Sequence, residues 1–363
     1  MWVALLMGAF ILGAVVTADA STEQSDVDTG DPAETDNDTP DPVVPLPDLE
    51  MDDAEEEASN EDDPILVSRG VFQGTAGDDI FEFPEEFDRV IGIEISAAAG
   101  DDIIDLLDPS GEQASFNSDY ITQGTFSGGD GNDTIRVAST NSTVSGGSSD
   151  DVIYVESAAE TLITGDAGDD SISGFQVSDL VSIEGGAGND TIDAREMSTV
   201  IANGGEDDDQ IYITARALAG TGYTTFADGG AGDDTIFVEG EAFPLTGIHA
   251  INAAGGTGSD VFDLTFDEGS LTTNTASWGA VSINDFEPSV DMVIVELQIL
   301  NASFEVTEAR LEEDASTGIT QLIISYESDT ELDRDVSIVI QATGVTWDDI
   351  TFEGDNVPPV LVP

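Results

Sequence analysis

A nine-residue phrase recurs nine times and places an aspartate at the same position in every copy. The clearest copy, residues 128–136, reads GGDGNDTIR and follows the pattern GGxGxDxUx, where U is a bulky apolar residue. One carboxylate in a glycine-rich loop can supply an oxygen ligand to a cation, and main-chain carbonyls can supply others. The copies start at Gly74, Ala97, Gly128, Gly146, Gly165, Gly185, Gly204, Gly229 and Gly255. Their sixth-place acids are Asp79, Asp102, Asp133, Asp151, Asp170, Asp190, Asp209, Asp234 and Asp260.

The ligand types favour calcium over other metals. Glycines at the first, second and fourth places are expected to take positive φ, which bends the loop and turns carbonyls toward one point. Calcium accepts six to eight oxygens in flexible geometry, whereas the chain has no Cys and a single His, His249, with which to build a zinc or copper site. We therefore predict several calcium ions. Besides the nine acids, the predicted metal-site residues are Gly128, Asp130, Asn132, Gly146, Gly165, Gly185, Asn189, Gly204, Gly229, Asp233 and Gly255.

Ordinary Asp-Gly turns in a β-solenoid are the alternative explanation of the phrase. Turns account for the glycines but not for the constant acid, because carboxylates stacked about 5 Å apart repel one another without a counter-ion. The imperfect loops at Gly146 and Ala97 are the weakest expected sites. The replaced glycines are at Thr75, Ala98 and Asp166 in the second place, Ala97 in the first, and Ser149 and Asp207 in the fourth.

Two strands per copy must position these loops. After each acid, apolar residues alternate at the eighth and tenth places, as in Ile135 and Val137, which predicts a strand with one buried face. A second strand is predicted upstream of each phrase, around Val144, Ile163 and Ile183. Between Gly128 and Gly204 the copies recur every eighteen to twenty residues, which is one coil. The fold class is therefore an all-β parallel β-roll, or β-solenoid, with all glycine loops on one edge and variable turns such as 157–160 and 195–198 on the other.

Over residues 74–264 the chain resembles the repeats-in-toxin group, the hemolysin-type calcium-binding repeat proteins. The resemblance implies that each ion lies between consecutive loops of one edge, held by the sixth-place Asp and by carbonyls of the first, third and fifth places. Carried over to this sequence, Asp133 would act with the carbonyls of Gly128, Asp130 and Asn132. In most members the phrases follow one another directly, so that calcium-binding loops lie on both edges of the roll. In this chain the phrases are spaced so that the loops lie on one edge.

Four segments are predicted along the chain. Residues 1–20 are apolar at 2–16 and end in a small-residue site, so they form either a cleaved signal peptide or a retained anchor. Residues 21–64 are rich in Asp, Glu, Ser, Thr and Pro and are expected to be a disordered acidic linker. Residues 65–270 form the calcium-binding roll, and residues 271–363 form a cap.

The cap is expected to be a small antiparallel β domain. Its predicted strands, 280–283, 292–300, 303–307, 321–326 and 336–341, are rich in Val, Ile and Thr. Residues 283–294 and 339–352 resemble the C-terminal segment of type I secreted repeat proteins, in which that segment caps the roll and carries an uncleaved export signal. A plain cap that hides the last coil's edge is the other role considered.

Composition restricts the partners. Seventy-seven acidic residues against seven basic ones give a formal charge of −70, which should repel nucleic acid and anionic lipid. Calcium is the expected partner, and membrane contact is expected only through an uncleaved N-terminal segment. Tyr154, Tyr212 and Phe237, at ninth places, suggest either a contact patch for a cell-surface or matrix polysaccharide or protein, or ordinary stacking between coils.

No catalytic or cofactor-binding residues are predicted. The chain lacks lysine and shows no HExxH, GxSxG or phosphate-loop motif. The expected function is calcium binding by a secreted or surface-tethered bacterial protein that folds when it meets extracellular calcium and has a structural or adhesive role. The alternative is a calcium-dependent polysaccharide lyase or epimerase, in which Arg136, Arg195 or Arg216 neutralises a uronate together with the ion.

Overall fold

The computed structural model describes residues 65–67, 70–83, 91–107, 121–177, 180–197, 199–215, 224–241, 250–267, 281–298, 304–314, 316–328, 334–354 and 356–362. The chain divides into two units, Met1–Glu55 and Glu56–Pro363, and every described residue belongs to the second. The predicted signal or anchor, the linker, Arg216 and His249 lie outside the described residues. Within the described ranges, no helix has the length and apolar character needed to cross a membrane.

The described residues form β-strands and one short 3-10 helix, η1. The strands of the first half are β1 (Ile65–Leu66), β2 (Val71–Gln73), β3 (Ile80–Glu82), β4 (Glu94–Ala99), β5 (Ile103–Leu106), β6 (Ile121–Thr122), β7 (Thr125–Asp130), β8 (Thr134–Thr140), β9 (Thr143–Ser148), β10 (Val152–Ala159), β11 (Thr161–Ala167), β12 (Ser171–Val177), β13 (Val181–Ala187) and β14 (Thr191–Met197). The second half contains β15 (Val200–Glu206), β16 (Gln210–Ala215), β17 (Thr224–Ala231), β18 (Thr235–Glu241), β19 (Ala250–Thr257), β20 (Val261–Asp267), β21 (Val281–Ile283), β22 (Met292–Gln298), β23 (Phe304–Asp314), β24 (Ile319–Ser328), β25 (Arg334–Ile340), η1 (Trp347–Asp349), β26 (Ile350–Glu353) and β27 (Leu361–Val362).

The strands alternate between two long sheets, which confirms the predicted parallel β-roll. Sheet A has the order β1-β3-β5-β8-β10-β12-β14-β16-β18-β20-β22-β26, and sheet B has the order β2-β4-β7-β9-β11-β13-β15-β17-β19-β21-β25-β24-β23-β27. From β2 to β20, each coil runs along one sheet B strand, turns through the loop of one nine-residue phrase, and returns along one sheet A strand. Neighbouring coils pair in parallel with equal places facing each other, as in Ile135 with Ile153 and Gly129 with Gly147.

The core lies between the two sheets and follows the period-two alternation of the strands. In sheet A, the eighth- and tenth-place residues such as Ile135, Val137 and Ile153 are fully buried. In sheet B, the residue two places before each phrase points inward, which confirms the prediction for Val144 and Ile163. Further along sheet B the same position is occupied by alanine, at Ala202, Ala227 and Ala253, which bury less apolar surface there than Val144 or Ile163 does.

The turns opposite the glycine loops are tighter than expected. Residues 157–160 were predicted as a turn, but β10 continues to Ala159 and the chain reverses at Glu160, which has a φ of 50°. In the same way, β14 includes residues 195–197 of the predicted turn 195–198. The strands extend because Ala158 and Met197 still face the core, where they are buried.

The parallel pairing continues past residue 270, where the cap was expected to begin. Strands β21 and β22 pair in parallel with β19 and β20, and β25 and β26 then pair in parallel with β21 and β22. The predicted segments 280–283 and 292–300 therefore add a further coil, because their alternating Val and Ile residues are buried like those of the repeats. An antiparallel cap is present in β23, β24 and β25.

Two adjacent residues of β11 differ in burial, so their substitution should affect the free energy of unfolding differently. Ile163 is fully buried, whereas Leu162 is 37% exposed on the outer face. We expect Ile163→Ala to lower the free energy of unfolding of the calcium-loaded protein by about 2–5 kcal/mol, and Leu162→Ala to change it by about 0.5 kcal/mol or less. Urea denaturation followed by circular dichroism measures both, and equal effects would contradict the assigned faces of the strand.

Candidate metal site along the glycine edge

Positive φ angles shape the glycine loops at two of the three predicted places, the second and the fourth, in every copy except the one that starts at Gly74. In the copy starting at Gly128, Gly129 has a φ of 123° and Gly131 a φ of 128°. Non-glycine residues adopt the same conformation in imperfect copies, including Ser149 with a φ of 82° and Asp207 with a φ of 75°. The weak copies therefore keep the loop shape. In the first place the expectation is wrong, because no described first-place residue has a positive φ.

First-place glycines are needed for a different reason. A Cβ atom on Gly165 would collide with Oδ2 of Asp170 and would lie 2.5 Å from the carbonyl oxygen of Gly185. The same two groups, the sixth-place carboxylate and the first-place carbonyl of the next coil, crowd each first-place glycine from Gly128 to Gly229. The missing side chain is what allows the carboxylate to lie against the main chain.

The sixth-place acids form a continuous hydrogen-bonded column, the aspartate ladder, made of the nine predicted acids and Asp291. The main-chain N–H of each member donates to Oδ1 of the member one coil further on. Examples are Asp133 to Asp151 at 2.7 Å and Asp190 to Asp209 at 2.8 Å. The column starts with Asp79 donating to Asp102 and ends with Asp260 donating to Asp291.

The second carboxylate oxygen has no partner in the middle of the ladder. Each of these side chains is at most 2% exposed, and its Oδ2 atom is buried without a hydrogen-bond donor. The affected residues are Asp102, Asp133, Asp151, Asp170, Asp190, Asp209 and Asp234. A buried anionic oxygen without a donor is costly, so each of these positions requires a proton or a cation.

The unpartnered oxygens face a second acceptor rather than a donor. The space beside Gly204, for example, is shared by Oδ2 of Asp209 and the carbonyl oxygen of Gly229. Two acceptors that point into one space repel each other unless a positive charge lies between them. These oxygens have the chemistry that calcium prefers, since it binds carboxylate and carbonyl oxygens together.

Burial raises the pKa of the ladder carboxyl groups from Asp102 to Asp260 above the ordinary value of 3.8. Desolvation is the largest cause, the hydrogen bond from the preceding coil's N–H opposes it, and neighbouring carboxylates add to it. The pKa reaches about 7 for Asp151, Asp190 and Asp209. It is about 6 for Asp102, Asp170, Asp234 and Asp260.

A second ladder, of fifth-place side chains, was not recognised from the sequence. The main-chain N–H of Asn189 donates to Oδ1 of Asp169 at 2.8 Å, and that of Asp233 donates to Oδ1 of Asp208 at 2.7 Å. These bonds run toward the preceding coil, opposite to the aspartate ladder, and lie on the exposed side of the loops. The sequence contains a pattern that indicates this ladder, because every copy has Asp, Asn or Ser at the fifth place.

The predicted metal-site residues thus fall into three positions. The sixth-place acids and the first-place glycines meet along the buried side of the edge. Asn132, Asn189 and Asp233 belong to the exposed fifth-place ladder. At the third place, the carbonyl of Asp130 accepts the N–H of Gly100 at 2.8 Å. Among the described residues, no three Asp, Glu, His or Cys side chains group closely enough to hold a metal by themselves, so main-chain oxygens must complete any site.

The aromatic and arginine candidates do not form one site. Tyr212 and Phe237 stack with ring centroids 4.4 Å apart, as expected for contact between adjacent coils, and Arg195 lies over the Tyr212 ring. Tyr154 is on β10, three strands away from β16 in sheet A. Arg136 forms an ion pair with Asp105 at 2.7 Å, also three strands from Arg195 on β14.

A family model for the RTX calcium-binding nonapeptide repeat matches residues 127–158, 162–176, 182–196 and 220–240 in four copies. In these four stretches the chain carries repeats of the RTX type. The phrases at Gly74, Ala97, Gly204 and Gly255 lie outside the matched stretches. The structure nevertheless gives the loop at Gly204 the same buried, unpartnered Asp209 oxygen as its matched neighbours.

Comparison with whole proteins adds little to the RTX assignment. No curated protein matches the chain. Among solved structures, the crystal structure of extracellular lipase LipA from Serratia marcescens matches with a TM-score of 0.18 and 13% sequence identity. The match covers 70% of this chain and 45% of the lipase chain, so this chain spans less than half of that protein. A likeness of this size carries no argument about activity.

The raised pKa values predict how pH acts on the RTX loops. A carboxyl group with a folded pKa above its unfolded value of 3.8 favours folding when protonated, and this contribution is lost as pH rises through the folded pKa of about 6 to 7. Calcium-stripped protein should therefore be more folded at pH 5 than at pH 8. Apparent calcium affinity should rise over the same range, because protons and calcium compete for the same oxygens.

Circular dichroism and hydrodynamic radius of stripped protein between pH 5 and pH 8 test this expectation. Ordinary carboxyl groups titrate near 4, so most are already ionised in this window. The double variant Asp190→Asn/Asp209→Asn serves as control and should show a weaker pH dependence. Stripped protein that is more folded at pH 8 than at pH 5 would contradict the assignment.

Proposed function

We propose that the chain binds a row of calcium ions along its glycine edge, and that this binding drives the roll to fold. The observation that carries the proposal is the column of seven buried Oδ2 atoms without a donor. Each would take part in a site with first-place carbonyl oxygens such as that of Gly229. Calcium supplies the positive charge that these oxygens otherwise lack.

The charge and core of the roll explain why calcium would act as a folding trigger. At a formal charge of −70 the chain resists compaction, and stacking one more carboxylate per coil adds to that repulsion. The core offsets only part of this cost, since several sheet B positions that face it hold alanine. Where a site exists only in the folded state, the binding free energy of the metal contributes to folding.

This mechanism suits a protein that leaves the cell before it folds. Calcium is scarce in the cytoplasm, and sites of the weak extracellular kind fill at about millimolar concentration. We infer that the chain is secreted to the exterior or held at the surface of a bacterium, where it has a structural or adhesive role. The absence of cysteine and the apolar segment 2–16 support this location.

A catalytic role has less support than a structural one. The enzyme alternative needs arginines next to a bound ion, but Arg195 is paired with Asp193 at 2.6 Å and with Glu239 at 3.2 Å on the outer face of sheet A. Arg136 is likewise paired with Asp105. Both guanidinium groups are therefore already neutralised by acids of the protein.

Calcium titration of the full chain tests the proposal. We expect the stripped protein at pH 7.4 to be expanded, and about millimolar calcium to produce β-structure and a smaller hydrodynamic radius in one cooperative transition. Magnesium at the same concentration should have little effect, because its octahedral preference does not suit these loops. Circular dichroism and size-exclusion chromatography with light scattering measure both changes.

Sodium chloride at matched ionic strength separates binding from screening. Screening alone would compact the chain to a similar degree in any salt. A stripped chain that is as compact and as resistant to heat as the calcium-loaded chain would refute calcium-driven folding.

A further inference from the structure

The two ends of the aspartate ladder differ chemically from its middle. At the N-terminal end, Oδ2 of Asp79 accepts hydrogen bonds from the main-chain N–H of Thr75 at 2.5 Å and from its hydroxyl at 3.1 Å. Thr75 stands in place of the second glycine of this copy. Unlike its counterparts in the middle of the ladder, this Oδ2 atom therefore has donors within its own loop.

The C-terminal end uses the same arrangement without a glycine phrase. Oδ1 of Asp291 continues the ladder by accepting the N–H of Asp260 at 3.1 Å. Its Oδ2 accepts the N–H of Glu287 at 2.6 Å. Between them the loop reads EPSVD and contains no glycine.

One coil further on, Asp349 repeats this arrangement. Its Oδ1 accepts the N–H of Ser289 at 2.7 Å, and its Oδ2 accepts the N–H of Thr346 at 2.7 Å and the Thr346 hydroxyl at 2.9 Å. Asp349 is 3% exposed and so is as deeply buried as the ladder members, yet its two oxygens both have donors.

A further acid, Asp285, binds the main chain of the last glycine loop. Asp285 accepts the N–H of Gly255 at 3.0 Å and the N–H of Gly256 at 2.9 Å, one with each carboxylate oxygen. The three atoms nearest to a Cβ built on Gly255 all belong to Asp260, whereas a next-coil carbonyl oxygen is among the three nearest at the first-place glycines from Gly128 to Gly229.

A carboxylate whose Oδ2 accepts a hydrogen bond from its own loop needs no metal at that oxygen, whereas a buried carboxylate with a bare Oδ2 needs a cation or a proton. We propose that Asp79, Asp291 and Asp349 are metal-free end caps of the ladder. Calcium ions are held only by the aspartates between them whose Oδ2 lacks a donor. This inference rests on the proposed function, and it removes Asp79 from the predicted ligands.

The caps give the roll two ends that need no ion. Each end coil continues the Oδ1 column, so the adjacent metal-binding coil finds its hydrogen-bond partner already in place. Terminal units of a stacked-repeat protein commonly differ from the internal ones because they face solvent on one side. Here the difference lies in the carboxylate chemistry.

Counting bound calcium in single Asn variants tests the proposal. Asp190→Asn keeps an Oδ1 that can accept the N–H of Asp170 and replaces only the bare oxygen, so it should lower the number of bound ions by at least one. Asp79→Asn and Asp291→Asn should leave the number unchanged. Equilibrium dialysis with radioactive calcium, on the full chain at pH 7.4, gives the count.

The cap variants should still show a structural effect in the loaded protein. Asn at 291 offers an NH₂ group where Glu287 N–H needs an acceptor, so Asp291→Asn should lower the melting temperature without changing the count. Asp349→Asn provides the same test if Asp291→Asn does not fold. Loss of an ion in any cap variant would overturn the end-cap proposal alone, whereas failure of the wild-type chain to bind calcium would overturn the proposed function.

Discussion

Parallel pairing in register imposes one constraint on this chain, since a group at a given place recurs in the same position about 4.8 Å further on in the next coil. For the apolar eighth and tenth places, this repetition builds a continuous core. For the sixth place it stacks one buried carboxylate on another. In this column, Oδ1 of each carboxylate accepts an N–H of the preceding coil. Oδ2 lies beside the first-place carbonyl oxygen of the next coil.

The two side-chain ladders connect the same loops in opposite directions. Sixth-place Oδ1 atoms accept from the preceding coil, and fifth-place Oδ1 atoms accept from the following coil. In the folded roll, both ladders connect neighbouring loops through hydrogen bonds to side-chain oxygens. The buried Oδ2 atoms are then the part of the edge that remains unsatisfied, which is why the proposed ions would act on the stability of the whole stack.

The C-terminal end of the roll consists of coils and strands that differ from those of the repeats. Past the last phrase, two coils continue the parallel sheets without the glycine-rich phrase, and the antiparallel strands β23 and β24 extend sheet B. An open parallel edge would offer unpaired main-chain groups to other chains. The column of bare Oδ2 atoms is thus bounded on both sides by loops in which the Oδ2 atom of the carboxylate accepts from a protein donor.

The repeat unit, the two strands of each coil and the calcium-type chemistry of the edge can be predicted from the amino-acid sequence. These follow from local periodicity, as with Ile135 and Val137, and from the constant acid in a glycine-rich phrase. The parallel extension beyond residue 270 was missed, because short Val- and Ile-rich segments do not reveal whether a strand pairs in parallel. Only the tertiary structure decided which oxygens are bare. Asp79 and Asp190 occupy the same place of the same phrase, but hydrogen bonds from Thr75 separate them, and such contacts depend on how each loop closes.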